Sequence, residues 1–244
     1  MPPKPAPKAR AKPAKKARAR PLPRPPRGAR TRAALTWERL RDLYPAVTEL
    51  DHTDPFQLLI ATILSAQTTD RSVNLVTPKL FAQYPTAADL AAADPARVEE
   101  MIKPTGFFRA KTRSIIAASR KLAEDFGGVV PPRMEDLVTL PGIGRKTANV
   151  ILGVAFNVPG FAVDTHVKRL TNLLGLVSTR DPVKIEKQVT SMVPPSEWTG
   201  LSLRLILHGR RVCIARRPRC EECVLNDFCP SSTTRPRRST KKPA

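Results

Sequence analysis

Four cysteines near the C-terminus set the strongest restriction on how this chain folds. They are the only cysteines of the chain and lie within 17 residues, spaced Cys-x6-Cys-x2-Cys-x5-Cys: Cys213, Cys220, Cys223 and Cys229. The two knuckles of a zinc ribbon are separated by about 15–20 residues, so these short, unequal gaps favour an iron–sulfur cluster over zinc. Two disulfides are the remaining alternative, which the absence of any other cysteine and of a secretory signal disfavours.

Positive charge is concentrated at the two ends of the chain. There are 42 Lys and Arg against 21 Asp and Glu, a formal net charge of +21. Residues 1–32 contain 12 basic residues, nine prolines and no acid, and residues 230–244 contain five basic residues and no acid. Because these ends have almost nothing apolar to bury, we expect disordered basic tails. Such tails are attracted to polyphosphate, which favours a nucleic acid as partner; a solubilising role is the alternative.

The sequence argues against a membrane protein. No apolar stretch has the length of a membrane-spanning helix, and no apolar segment follows the basic N-terminus as in a secretory signal. We expect a protein of the compartment that holds the DNA, cytoplasmic and nucleoid-associated, or nuclear or organellar if the organism is eukaryotic. Nothing in the sequence indicates a stable oligomer, so a monomer is expected.

The middle of the chain is predicted to be helical throughout. Apolar residues recur at helical spacing, as in Leu59, Ile60, Ile63 and Leu64, and no alternating run is long enough for a sheet. The predicted fold class is therefore all-α. Helices are predicted at residues 36–44, 56–67, 87–93, 96–102, 111–126, 133–139, 146–156, 165–174, 182–192 and 199–214.

A second motif, Leu-Pro-Gly-Ile-Gly-Arg-Lys, predicts a tight turn between two helices. Pro141 ends the first helix, and Gly142 and Gly144 allow a sharp turn before the second helix begins near Arg145. The backbone N–H groups at that helix start favour an anion, such as a DNA phosphate, and bind it without reading sequence. An ordinary turn between helices is the alternative.

Lys146 and Asp164 are the candidate reactive pair. Lys146 lies in the first helical turn, where the positive end of the helix dipole disfavours an ammonium and so favours a nucleophilic amine. A surface lysine that faces DNA is the alternative. Asp164 is predicted to cap the next helix. Beside Lys146, this carboxylate could also stabilise a sugar cation or relay a proton.

These residues resemble the helix-hairpin-helix superfamily of DNA glycosylases, most closely its endonuclease III branch. The resemblance covers about residues 34–229. It rests on residues 58–70, on the hairpin at 140–150, on the Val-Asp-Thr-His segment at 162–167, on residues 205–210 and on the four cysteines. Both tails fall outside it.

The resemblance implies two helical domains with an interdomain cleft and a [4Fe-4S] cluster. Residues 48–158 would form a six-helix barrel with the helix-hairpin-helix motif. Residues 33–47 and 159–229 would form a helical domain that carries the cluster loop. The partner would be double-stranded DNA that contains damaged pyrimidines or abasic sites, with the damaged nucleotide flipped into the cleft.

The resemblance also implies a bifunctional glycosylase and abasic-site lyase. Lys146 would attack C1′ and release an oxidised pyrimidine, Asp164 would stabilise the developing charge, and β-elimination from the Schiff base would cleave the strand 3′ to the lesion. The adenine-glycosylase branch carries serine at the position of Lys146. A non-catalytic binder of DNA structures and an electron-transfer role for the cluster are the alternatives.

Further residues are expected to contact DNA. Gln67 matches the family glutamine that fills the gap left by the flipped base. Phe107 replaces the usual aliphatic wedge, and Phe108 and Arg109 replace the usual Tyr-Asn pair, so we expect an aromatic side chain to intercalate. The remaining expected contacts are Arg210 and the arginines of the cluster loop, Arg216, Arg217 and Arg219, beside the hairpin residues Gly142, Gly144 and Arg145.

Overall fold

A computed structural model of the protein describes residues 22–234. Within this range all regular structure is helical, which confirms the predicted all-α class. Short 3-10 helices occur at Lys103–Thr105, Pro195–Glu197 and Cys220–Glu222. The α-helices are α1 (Ala29–Leu43), α2 (Pro55–Leu64), α3 (Asp70–Gln83), α4 (Ala87–Ala91), α5 (Pro95–Ile102), α6 (Phe108–Asp125), α7 (Met134–Leu137), α8 (Arg145–Ala155), α9 (Thr165–Leu173), α10 (Pro182–Thr190) and α11 (Trp198–Arg211). None of these helices is long and apolar enough to cross a bilayer.

The buried apolar residues form two cores. The first draws on helices α2 to α8, from Leu50 to Leu152. The second draws on α1, on α9 to α11 and on the cysteine-rich segment, from Ala33 to Leu225. This division supports the two domains expected from the sequence, whose boundaries stay a prediction.

Helix α2 lies at the centre of the first core. Pro55 occupies its first turn, and the Asp54 carboxylate accepts a hydrogen bond from the backbone N–H of Gln57 at 2.9 Å, so the helix start is capped. Every residue from Leu58 to Leu64 is buried. Because α2 packs against α8, the helix that begins with Arg145 and Lys146 rests on a fixed apolar base.

The two cores meet where α8 contacts α11. A Cβ atom at Gly153 of α8 would lie 2.3 Å from the Thr199 hydroxyl oxygen of α11, so only glycine allows this approach. The same hydroxyl donates to the carbonyl of Gly160, in the segment that connects α8 and α9. The close contact fixes the helix that carries Lys146 relative to the second core.

The first helix begins earlier than predicted, at Ala29 instead of residue 36. Residues 29–32 therefore belong to α1, not to the predicted tail, of which residues 1–21 lie outside the described part of the chain. The physical reason is Arg32, whose guanidinium donates to the carbonyls of Leu174 at 2.8 Å and Gly175 at 2.7 Å beyond the end of α9. Composition suggests that Arg32 is solvated, but in the structure its side chain caps the C-terminal end of α9.

Helix α3 is absent from the sequence prediction, which left residues 68–86 without a helix. Pro78 lies inside α3 and would ordinarily interrupt it. The side chains of Val73, Leu80 and Phe81 are buried in the first core, so packing outweighs the lost backbone hydrogen bond. The C-terminal tail predicted from residue 230 also begins in contact with the fold, since the Ser231 hydroxyl donates to the carbonyl of Leu173 at 2.9 Å.

Candidate active site and cluster site

The hairpin between α7 and α8 has the geometry that its glycines predict. Gly142 adopts φ +81°, and a Cβ atom there would lie 3.1 Å from Cβ of Ser114, so the position requires glycine. Gly144 precedes α8 in extended backbone, and no side chain caps the helix. Ile143 between them is buried and anchors the loop. The first-turn N–H groups of α8 are therefore left for an external anion.

Lys146 and Asp164 line the same cleft, which has a volume of about 380 Å³. Lys146 is exposed in the first turn of α8, and Asp164 is half-buried at the N-cap of α9. The Oδ1 atom of Asp164 accepts a hydrogen bond from the backbone N–H of Val167 at 2.7 Å. Its Oδ2 atom makes no hydrogen bond to any described residue. The carboxylate thus combines the predicted capping role with a second oxygen for chemistry in the cleft.

Two exposed side chains lie on tight turns of the first domain. Gln67, between α2 and α3, adopts φ +54°, and Phe107, directly before α6, adopts φ +47°. Left-handed backbone is unusual for residues other than glycine and is frequent at functional sites. Phe107 is 67% exposed, so its side chain is accessible to a partner. Both positions are those that the resemblance assigns to the residues inserted into DNA.

Two arginines expected to contact DNA are ion-paired across the two domains. Arg145 of α8 holds Glu186 of α10 with two hydrogen bonds, of 2.8 and 2.7 Å, which raise the pKa of the guanidinium. Arg210 of α11 donates to Glu49 at 2.6 Å and to Asp70, at the start of α3, at 2.7 Å. DNA phosphates would have to replace these carboxylates, so both contacts stay predictions.

The arginines of the cluster loop are more accessible. Arg216 and Arg217 are exposed and make no ion pair with any described residue. Arg219 is exposed and lies 3.5 Å from the carboxylate of Glu222. Within the described residues this loop therefore offers two guanidinium groups without a competing acid.

The four cysteines line one cavity of about 160 Å³. No disulfide joins them. Among the described residues, no three His, Cys, Asp or Glu side chains converge closely enough for a single metal ion. A four-iron cluster is wider than one ion, and its ligands surround a cavity instead of meeting at a point.

Arg169 of α9 gives an independent sign that an anionic group belongs in this cavity. Its Nη2 atom donates to the carbonyls of Cys213 at 2.5 Å and Gly209 at 3.1 Å. Its Nε atom is buried beside the cavity and has no hydrogen-bond partner within the described part of the chain. A buried donor left without a partner is costly, and the sulfur atoms of an anionic cluster would satisfy it.

His208 connects the cysteines to the second core. It is 1% exposed, with Nε2 3.3 Å from the Cys223 sulfur and Nδ1 3.2 Å from the Tyr44 hydroxyl. Burial lowers the pKa of His208 to about 4, so the ring is neutral near pH 7. Burial also raises the pKa of the Cys223 thiol to about 11, so this thiol needs a bound metal group to lose its proton.

Sequence reasoning missed Arg169 and the acids that pair with the cleft arginines. Arg169 lies on the helix that follows Asp164, but helical spacing places it away from the buried residues Val167 and Leu170, so no local pattern marks it. Glu49 and Glu186 also lack a local signal, because they lie 161 and 41 residues from their partners. His166 also lines the cleft, and its Nδ1 atom is buried without a partner among the described residues.

Comparison with known proteins agrees with this geometry. Residues 60–195 match the family of HhH-GPD superfamily base excision DNA repair proteins, and residues 213–229 match the iron–sulfur binding domain of endonuclease III. Endonuclease III of Synechocystis sp. is 53% identical over 195 residues, 79% of this chain and 89% of the relative. Endonuclease III of Escherichia coli is 42% identical over 192 residues, 78% of this chain and 91% of the relative.

Two solved structures show the same family similarity. The structure of a non-covalent endonuclease III–DNA complex superposes with a TM-score of 0.79 at 38% identity, covering 83% of this chain and 96% of the other. The structure of a trapped endonuclease III–DNA covalent intermediate superposes with a TM-score of 0.79 at 39% identity, with the same coverage.

Proposed function

The chain belongs to the HhH-GPD superfamily of base excision DNA repair proteins, in its endonuclease III branch, and we propose that it removes oxidised pyrimidines from DNA and cleaves the strand. It is a bifunctional DNA glycosylase and abasic-site lyase that carries a [4Fe-4S] cluster. The observation that supports the assignment of residues is the shared cleft, in which an exposed lysine and an aspartate with one uncommitted oxygen lie together.

Lys146 acts as the nucleophile. The lone pair of its Nζ atom forms a bond to C1′ of the flipped nucleotide, while the glycosidic bond breaks and its electron pair leaves with the base, which takes up a proton. The bond between C1′ and the ring oxygen then breaks, the ring oxygen takes up the proton that the attached nitrogen gives up, and an iminium remains at C1′. Loss of a C2′ proton then breaks the C3′–O bond by β-elimination, and the strand is cut 3′ to the lesion.

Asp164 serves this sequence as a fixed negative charge. Its carboxylate stabilises the positive charge that develops on the sugar as the base leaves. The hydrogen bond from Val167 to Oδ1 holds the group in place, so no reorganisation is needed when the charge develops.

The hairpin and the inserted side chains hold the DNA in a kinked form. The N–H groups that follow Gly142 and Gly144 bind a phosphate without regard to sequence. Gln67 and Phe107 enter the duplex beside the extruded nucleotide, where the aromatic ring stacks on a base. Arg145 and Arg210 exchange their carboxylate partners for phosphates in the complex.

The cluster domain supplies a second DNA-binding surface. Cys213, Cys220, Cys223 and Cys229 hold the [4Fe-4S] cluster, which fixes the segment between the first two ligands. Arg216, Arg217 and Arg219 on that segment are thereby held ready for phosphates. The protein works as a monomer on double-stranded DNA in the cytoplasm, at the nucleoid.

A single duplex tests the reaction. With thymine glycol at one position, the cluster-loaded protein should release the base and leave a 3′ unsaturated aldehyde and a 5′ phosphate. Lys146→Ala should form neither product while it binds abasic duplex about as well as the wild type. Base release without strand cleavage, or unchanged products from Lys146→Ala, would contradict the proposal.

A further inference from the structure

Lys111 is a buried lysine that no step of the proposed reaction uses. Its side chain lies in α6 and the residue is only 5% exposed, although lysine is rarely so buried unless it is paired with an acid. No carboxylate of the described residues lies within ion-pair distance of its Nζ atom. Burial lowers the pKa of this amine below its ordinary value of 10.5. Such a group weakens the folded state unless its contacts offset the loss of hydration.

The contact that Lys111 makes is specific. Its Nζ atom donates to the carbonyl of Thr105 at 2.7 Å. Its backbone N–H donates to the carbonyl of Phe107 at 3.1 Å. Lys111 therefore binds the chain on both sides of Gly106, at the turn from which the Phe107 side chain projects.

That turn is one that needs support. Gly106 and Phe107 both have positive φ, +66° and +47°. A non-glycine residue in left-handed backbone is strained and persists only when its surroundings define the conformation. The other hydrogen bonds at the turn come from the Thr105 hydroxyl, which donates to the carbonyl of Ile102 at 2.8 Å and more weakly to that of Gly106 at 3.5 Å, and from the Gly106 N–H, which donates to the carbonyl of Lys103 at 3.2 Å.

We propose that Lys111 is a positioning residue that holds the Phe107 ring outward for insertion into DNA. The ammonium fixes the Thr105 carbonyl, the turn keeps its two left-handed residues, and the ring stays 67% exposed. The proposal rests on the proposed function, because it gives Lys111 a role only where a duplex must be opened. A lysine that only stabilises the junction between α5 and α6 would affect every substrate alike.

The test compares one lesion in two settings. Lys111→Met keeps the length of the side chain and removes the ammonium. On an abasic site in duplex DNA, its single-turnover lyase rate should fall about 10-fold, since displacement of a positioning group by about 1 Å can cost up to 100-fold. On the same site in single-stranded DNA, where no base pair has to be opened, its rate should stay within about 2-fold of wild type. Equal slowing on both substrates, or on neither, would overturn the proposal.

A double-mutant cycle shows whether Lys111 acts through Phe107. Phe107→Ala should give the same selective loss on duplex DNA, and Lys111→Met in the Phe107→Ala background should slow the reaction no further, because the two changes remove one function. Multiplicative effects of the two changes would mean that Lys111 acts elsewhere.

Two controls separate this proposal from other causes. Lys121→Met removes a lysine from the same helix, where Lys121 is partly exposed and pairs with Asp125, and should leave both rates unchanged. Lys146→Ala should abolish the reaction on both substrates, so activity in that variant would refute the proposed function and not the role of Lys111. Should Lys111→Met fail to fold, Lys111→Arg can be compared on the same two substrates, because arginine keeps the charge but is too long to make the same contact with Thr105. Equal rates of Lys111→Arg and wild type on duplex DNA would then overturn the proposal.

Discussion

Asp164 uses its two carboxylate oxygens for different purposes. Oδ1 caps helix α9 through the N–H of Val167, and Oδ2 remains for the cleft. Stability and catalysis at this residue can therefore be separated, because asparagine caps a helix about as well as aspartate but carries no charge.

Asp164→Asn should leave the free energy of unfolding within about 0.5 kcal/mol of wild type and slow base release about 100-fold or more. Asp164→Ala should lose similar activity and also about 1 kcal/mol of stability, since the cap is gone. Urea denaturation and single-turnover kinetics on thymine glycol duplex measure the two effects. Base release by Asp164→Asn at the wild-type rate would show that the carboxylate has no role in the mechanism.

The single residues of the site differ in how well the sequence predicts them. Lys146 and the glycines of the hairpin lie within five residues, and the four cysteines lie within 17, so local spacing is informative. The burial of Lys111 could not be predicted from the sequence, because lysine side chains are almost always exposed. Only the carbonyl of Thr105, brought close by the turn, explains it.

At the scale of elements, the hairpin between α7 and α8 depends on one of its two glycines for its shape. Gly142 has φ +81°, and a Cβ atom there would meet Ser114 and Ile63, whereas Gly144 has ordinary extended backbone and open space for a Cβ atom. The two positions form a matched pair for substitution.

Gly142→Ala should destabilise the protein by about 1–3 kcal/mol and weaken binding to abasic duplex, since alanine disfavours positive φ and its Cβ meets Ser114. Gly144→Ala should cost less than about 1 kcal/mol, because only a modest N-cap preference changes. Thermal unfolding measures the change in stability, and fluorescence anisotropy measures the change in affinity for abasic duplex. Equal effects of the two substitutions would show that backbone strain does not set the hairpin geometry.

Most helices follow from the sequence because their caps and buried faces are local. Asp54, Asp164 and Asp181 each cap a helix through their side chain, at the starts that the sequence predicts. Helix α3 is capped by the Thr69 side chain, but Pro78 interrupts its pattern, and burial in the first core offsets the lost hydrogen bond. The start of α1 could not be predicted from local sequence, because the carbonyls that Arg32 binds lie 142 and 143 residues away along the chain.

At the scale of the whole molecule, ion pairs connect segments that belong to the two apolar cores. Arg145 pairs with Glu186, and Arg210 pairs with Glu49 and Asp70. No local pattern predicts these contacts, since the partners lie far apart in sequence. They also place acids against the arginines that the proposed complex needs for phosphates.

Glu186→Gln should therefore raise the affinity for abasic duplex at low salt, by about 3- to 10-fold, because a charge-assisted contact of about 1 kcal/mol no longer competes with DNA. Glu124→Gln removes an exposed acid of α6 that has no ion-pair partner among the described residues. It is the control for net charge and should change affinity by less than about 2-fold. Titrations at several salt concentrations provide the measurement. No difference between the two variants would mean that Arg145 does not bind a phosphate.

The central claim is that one amine, Lys146, becomes covalently bonded to the sugar. The most direct measurement is reduction of the reaction on abasic duplex with borohydride, followed by nuclease and protease digestion and mass spectrometry of the modified peptide. The account predicts a sugar remnant on Lys146 alone, and no adduct in Lys146→Ala. A remnant on another amine, such as Lys111 or Lys168, or an undiminished adduct in Lys146→Ala, would contradict it.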